Sequence, residues 1–301
     1  MSNIKIYILL ISFFSNLNCN NTMKFYEFTN EKGSDRHENM FYEYLKKNPI
    51  KKKVNCLVVH WQEVECNKRL DLLKKIENIK LDNGFTICSL EKQLDSYMPL
   101  FKKIGIKVVF AQNATTKKFD GIEVVTIPYI AINGINPSNK KDIFYSFIGS
   151  VAFPPIRKKL IKIRHPKNCV IKARNTFHFF HSSSKQIANQ SEYKDVLARS
   201  RFSLCPKGWG ACSYRFWESL QAGAIPVLIS DDYLLPTGVD WSKCIIQVKE
   251  KDVLDIPKIL SNISLEQELE MRKNCLSIYK LFSGKNLIKV IEDYYAKQGI
   301  K

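Results

Sequence analysis

Residues 200–231 read SRFSLCPKGWGACSYRFWESLQAGAIPVLISD, and the order of residue types in this stretch decides the fold. Phe202 to Cys205 is a short apolar run closed by Pro206, and Lys207-Gly208-Trp209-Gly210 can turn sharply because glycine accepts backbone angles that other residues resist. Ser213 is a good N-cap type, Tyr214 to Ala222 holds no helix breaker, and Gly223 stands where a left-handed C-cap is wanted. Ala224 to Ile229 is a continuous apolar run, as in a strand buried on both faces of a parallel sheet. The stretch therefore predicts a strand, a glycine loop, a helix and a second strand.

A helix N-terminus behind such a loop offers free N–H groups and the positive end of the helix dipole, a setting that favours a pyrophosphate. Arg215 adds a planar fork suited to phosphate oxygens, and Glu218, three residues on, lies on the same side of the helix, where a carboxylate can accept from ribose hydroxyls. By spacing alone a second reading stays open: the two form an ordinary intrahelical ion pair and the glycines merely a turn.

The residues also resemble a known family. Ser200, Phe202, Leu204, Pro206, Gly208, Ser213, Arg215, Glu218, Leu220, Gly223, Ile225, Pro226, Val227 and Ser230 fall in register with the C-terminal domain of the exostosin glycosyltransferases, glycosyltransferase family 47. The likeness continues through Leu235-Pro236 and Asp240-Trp241 and reaches back to Phe147-Ile148-Gly149-Ser150; Ser203 stands where the family usually has cysteine, a change expected to affect packing only. The resemblance implies an α/β, GT-B-like fold: two Rossmann-like doubly wound domains facing across a cleft, with a helical C-terminal tail. It further implies inverting transfer of a sugar from a nucleotide diphosphate sugar, a UDP-sugar by expectation, to a glycan acceptor hydroxyl. No cofactor and no metal are expected, because arginine and a helix dipole can neutralise the diphosphate.

The pattern along the chain agrees with two alternating α/β series. Helices are expected at Glu38 to Lys47, Arg69 to Lys80 and Glu91 to Ile104, and strands at Val54 to His60, Phe85 to Cys88, Lys107 to Phe110 and Glu123 to Ile127. This gives an N-terminal acceptor domain over 50–132, a linker over 133–141 and a donor domain over 142–285, with a last helix in 286–301. Ser264 and Gln267 form a capping box opening a helix toward Phe282. Residues 1–22 combine a charged start, a short apolar core and a polar exit, as in a signal peptide or short anchor, with a buried first strand as the alternative. The first reading places the protein in the secretory pathway or Golgi membrane, with possible membrane attachment through the N-terminus; the second places it in the cytoplasm.

The 301 residues carry a net charge of +18, but the lysines are scattered along the whole chain, so no nucleic-acid partner is expected. Arginines 157, 164, 174, 199, 201 and 215 crowd one region, consistent with a basic cleft for an anionic nucleotide, although structural or solvated roles are expected for most. The nine cysteines are odd in number and show neither a zinc pattern nor a disulfide framework. His178 and His181 have no partner cluster for a metal.

The donor-binding set expected from these residues and the resemblance is Gly208, Gly210, Ser213, Arg215 and Glu218, joined by Gly149 and Arg157 after the second domain's first strand and by Asp231 at a strand end. The base for the acceptor proton is sought in the segment HWQEVE after the first strand, at His60, Glu63 or Glu65. Two alternatives remain: a fucosyltransferase-like enzyme using GDP-fucose, against which Ser219 counts because that family places lysine after the helix glutamate, and a non-catalytic nucleotide- or glycan-binding module. A nicotinamide-dependent dehydrogenase is disfavoured, since no G-x-G-x-x-G follows the first strand.

Overall fold

The computed structural model describes residues 23–28, 36–66, 68–90, 94–131, 133–174 and 184–298. The expected signal or anchor over 1–22, the pair His178 and His181, and the side chain of Glu63 lie outside the described residues. The chain divides into two compact units, residues 1–128 with 284–301, and residues 129–283.

In chain order the first unit runs β1 (Lys24–Glu27), α1 (Arg36–Lys47), β2 (Asn55–Val58), α2 (Trp61–Cys66), α3 (Leu70–Ile76), β3 (Gly84–Cys88), α4 (Leu94–Ile104), β4 (Ile106–Ala111), β5 (Lys118–Phe119) and β6 (Ile122–Thr126). The second runs β7 (Ile143–Ser150), α5 (Pro155–Leu160), β8 (Val170–Arg174), α6 (Ser184–Arg199), β9 (Ser200–Pro206), α7 (Tyr214–Gln221), β10 (Ile225–Ile229), β11 (Ile246–Val248), α8 (Ile256–Ser261) and α9 (Leu265–Leu281). The chain then returns to the first unit as α10 (Lys289–Lys297). The kind of architecture is the one expected from the sequence, parallel sheets alternating with helices and a helical C-terminus. Strand β1, the helix α2 within HWQEVE and the short antiparallel β5 are additions.

The two sheets differ in winding. The first has the order β1-β2-β3-β4-β6-β5, parallel except for the β5–β6 pair, so its crossovers all step the same way. Right-handed crossovers stepping one way put their helices on one face. That face carries Thr86, whose hydroxyl accepts from Trp61 Nε1 of α2 at 2.9 Å and lies 3.4 Å from the Tyr42 hydroxyl of α1. Trp61 in turn packs edge-on against Phe101 of α4, centroids 4.9 Å apart. The alternate residue Phe85 points to the other face, where it meets Phe110 at 5.5 Å and Tyr295 of α10 at 5.6 Å. Doubly wound geometry, expected for both domains, is therefore replaced here by a one-directional sheet whose bare face α10 covers. The last helix, expected as a separate C-terminal element, is part of the first unit's core.

The second sheet has the order β11-β10-β9-β7-β8, parallel throughout. Read from β7, the chain first adds β8 on one side and then β9, β10 and β11 on the other, so the winding reverses between β7 and β9. This is the doubly wound arrangement.

Candidate active site

Ligands of doubly wound sheets sit outside the carboxyl ends of the strands where the order reverses. In the second unit that point lies between β7, ending at Ser150, and β9, ending at Pro206. The turn Val151–Pro154 leaves the first strand and the loop Lys207–Ser213 the second, leading into α7. Lys207 N–H donates to Ile229 O at 3.0 Å and Gly208 N–H to Gly210 O at 3.1 Å. Neither glycine takes a positive φ, so the expected sharp glycine turn is made without left-handed backbone. Gly208 instead gives room: a Cβ there would stand 3.4 Å from Arg157 Nη2 and from Cys212 O. Gly223 does take the left-handed C-cap, with φ +61°, and the N–H groups of Gly223 and Ala224 donate to Leu220 O and Ser219 O in a Schellman pattern.

Arg215 is 9% exposed. Its Nη2 donates to the carbonyl of Ile148, one residue before Gly149. Its guanidinium carbon lies 4.5 Å from the Phe147 ring centroid and 5.6 Å from that of Tyr193. No carboxylate reaches Arg215 within ion-pairing distance among the described residues, so the intrahelical pair with Glu218 does not form. A buried guanidinium held by two aromatic faces and one carbonyl lacks the directly paired anion that normally offsets its desolvation.

Glu218 faces inward, 1% exposed. One carboxylate oxygen accepts from Asn133 Nδ2 and the other from the Tyr193 hydroxyl at 2.5 Å. Burial pushes its carboxyl above the ordinary range, while Tyr193, Asn133 and Arg215 pull it back. The expected open ribose acceptor is thus already occupied by two side chains. Tyr193 links the charges: its hydroxyl is on Glu218 and its ring backs Arg215. Asn133, read from sequence as the start of a linker, and Tyr193 and Phe147 were not singled out by spacing, since all three reach α7 from distant elements.

Arg157, with solvent exposure as one expectation, is buried at 7%. Its Nε donates to Lys207 O at 2.9 Å, Nη1 to Ser150 O at 3.1 Å and Nη2 to Pro206 O at 3.4 Å. It ties the carboxyl ends of β7 and β9 together and thereby fixes the mouth of the switch point. Ser213 occupies the N-cap position of α7 in extended backbone but makes no capping bond, and its buried Oγ has no hydrogen-bond partner. Asp231 is exposed; its carboxylate accepts from Glu250 N–H at 3.0 Å, its own N–H donates to Glu250 Oε1 at 3.3 Å, and the same Glu250 oxygen holds Lys207 Nζ at 2.6 Å.

The remaining arginines of the crowd have other work. Arg174 pairs with Glu192 at 2.7 Å, Arg199 with Asp142 at 2.7 Å and Asp195 at 3.0 Å, and Arg201 with the buried Glu268; Arg164 is exposed.

In the first unit, His60 sits just beyond β2 and is 4% exposed, its Nε2 lying 3.1 Å from Asn39 Oδ1. Glu63 and Glu65 are on α2, two residues apart and so about 200° around the helix from each other. Glu65 accepts from the Tyr97 hydroxyl at 2.7 Å, and burial together with this carboxylate raises the phenol. Of the two candidates whose side chains are described, Glu65 is held by Tyr97 and His60 lies on Asn39. Among the described residues no group of three or more histidine, cysteine or acidic side chains could hold a metal ion, and no helix is long and apolar enough to cross a membrane.

The chain is also similar to known proteins. Residues 93–263, more than half of the chain, match the Exostosin GT47 domain. An exostosin-1 homolog of Caenorhabditis elegans is 38% identical over 105 residues, covering 34% of this chain and 27% of that protein. A probable glycosyltransferase of Arabidopsis thaliana is 27% identical over 179 residues, 56% of this chain and 32% of its own length. A probable glucuronosyltransferase 47 A of Physcomitrium patens is 41% identical over 83 residues, 27% and 18% of the two chains. The chain thus spans a third or less of the length of these relatives. Among solved structures TarM aligns with a TM-score of 0.46 at 11% identity, over 85% of this chain and 57% of that one. With the family domain spanning the switch-point loops, α7 and Arg215, the chain belongs to the exostosin GT47 glycosyltransferase family.

Proposed function

We propose that this chain transfers a sugar, with inversion, from a UDP-type nucleotide sugar to a glycan hydroxyl. The observation that carries the reading is Arg215: a buried, rigidly seated cation without a carboxylate, at the switch point of a doubly wound sheet. A diphosphate placed there supplies the missing anion, and its charge, which grows as the glycosidic bond to the donor breaks, is met by a group already oriented. The free Oγ of Ser213 and the N–H groups at the start of α7 add donors at the same point. Glu218 serves the donor indirectly, by holding Tyr193 against Arg215, since both its oxygens are engaged.

Inversion calls for a base on the acceptor hydroxyl, and His60 is our candidate. Relatives named as glucuronosyltransferases make UDP-glucuronic acid the first donor to try.

The test is a panel of UDP- and GDP-sugars with the wild-type protein and Arg215→Ala. UDP is expected to raise the wild-type melting temperature and not that of the variant, with hydrolysis or transfer of at least one UDP-sugar. Absence of both nucleotide protection and donor turnover in the wild type would overturn the reading.

A further inference from the structure

Two half-exposed aromatic rings flank the mouth of the switch point. Phe153, in the turn after β7, is 40% exposed, and Trp209, in the loop after β9, is 50% exposed. Their ring centroids are 6.1 Å apart with planes tilted by 53°. The other tryptophans, Trp61, Trp217 and Trp241, are all buried. Trp209 follows Gly208, whose missing side chain lets the loop close over Arg157, and it belongs to the loop that leads into α7, where the diphosphate is proposed.

Polar groups of a particular kind lie on the same loop and at the neighbouring strand end. Asp231 and Asp232 are exposed at the carboxyl end of β10, the strand next to β9, and Lys207 Nζ lies 3.6 Å from Asp232 and 2.6 Å from Glu250. A pyranose has an apolar C–H face and a rim of hydroxyls, so its natural receptor is an aromatic face with carboxylates and an ammonium at the edge. A planar base is gripped best between parallel faces, and it has no use for two exposed carboxylates. Tilted rings, with Lys207 on the Trp209 loop and Asp231 and Asp232 at the end of the neighbouring strand, fit the sugar.

We propose that Phe153 and Trp209, set at the switch point with Asp231, Asp232 and Lys207, form a platform that receives the apolar face of a pyranose ring. The sugar is either the one carried by the donor or the terminal residue of the acceptor. The platform's setting rests on the donor-site reading above, but its readout is separate.

Because the other three tryptophans are buried, collisional quenching by iodide reports chiefly on Trp209. The full chain is titrated with UDP, with UDP-glucuronic acid and UDP-N-acetylglucosamine, and with xylotetraose and chitotetraose. Protection of Trp209 by a UDP-sugar beyond that given by UDP identifies the donor's sugar; protection by an oligosaccharide alone identifies the acceptor. Trp209→Ala and Phe153→Ala should weaken the sugar-dependent binding about tenfold while UDP affinity stays within about twofold, and Trp209→Phe should retain most of it. The proposal is overturned if UDP alone gives all the protection, if no sugar protects, or if Trp209→Ala binds every ligand as the wild type does. Failure of the donor reading looks different: UDP then gives no thermal shift, whereas oligosaccharide protection of Trp209 persists.

Discussion

A Cβ added to Gly149 would stand 2.7 Å from Nη2 of Arg215. The glycine at the end of β7 is therefore the seat of the arginine on α7: its bare backbone lets the guanidinium lie on the Ile148 carbonyl and the Phe147 ring.

Gly149→Ala should displace Arg215 without removing it. We expect a loss of about 1–3 kcal/mol of stability from overpacking, and a loss of UDP-dependent thermal protection close to that of Arg215→Ala. Retained UDP binding in Gly149→Ala would show that the arginine is not held in place by this contact.

Arg215→Met separates stability from binding. Since no carboxylate pairs directly with the buried charge, the apo variant should unfold within about 1 kcal/mol of the wild type or be more stable, yet show no gain on adding UDP. Denaturant unfolding with and without nucleotide measures both quantities.

The raised carboxyl of Glu218 gives folding a pH dependence of known sign. Its pKa is higher folded than unfolded, so above the ordinary value of 4.5 the folded chain binds more protons and stability falls as pH rises toward the folded pKa. Glu218→Gln keeps a partner for Asn133 and Tyr193 but cannot ionise. Its melting temperature should decline less than the wild type's from about pH 4.5 upward, and an unchanged slope would count against a buried, protonatable Glu218.

Lys141 gives a second pH dependence in a higher window. Burial, with the charge of Arg272, pushes its amine down to about 7 from 10.5, and Nζ donates to Ala222 O at 2.8 Å. Between these values the unfolded chain binds more protons, so stability rises with pH. Lys141→Met should flatten that rise, and its advantage over the wild type should be largest below pH 7, as read from unfolding curves at several pH values.

Tyr295 tests the covering of the first sheet by α10. Its ring is 1% exposed against Phe85, while its hydroxyl is buried without a hydrogen-bond partner. Tyr295→Phe should be neutral or stabilising, and Tyr295→Ala should cost about 3–5 kcal/mol. Equal effects of the two changes would mean that the hydroxyl, and not the ring, matters.

Much of this protein is legible in residue order because its signals are local. The apolar run before Pro206, the breaker-free helix from Tyr214, Gly223 as left-handed cap and the Ser264 and Gln267 capping box each depend on neighbours a few residues away, and each appears in the structure where the sequence predicts it. The same locality placed Arg215 at the start of α7, in register with the family pattern. What the sequence could not decide is how each side chain is used, because those partners come from far along the chain: Ile148 lies 67 residues from Arg215, and Tyr193 and Asn133 lie 25 and 85 residues from Glu218. Only packing brings them together, making Arg215 a cation without a carboxylate, Glu218 an inward-facing brace and Arg157 a clamp on two strand ends. Strand order is likewise a tertiary result: local periodicity makes the strands of both units look alike, while crossover direction winds one sheet a single way and leaves its second face to α10.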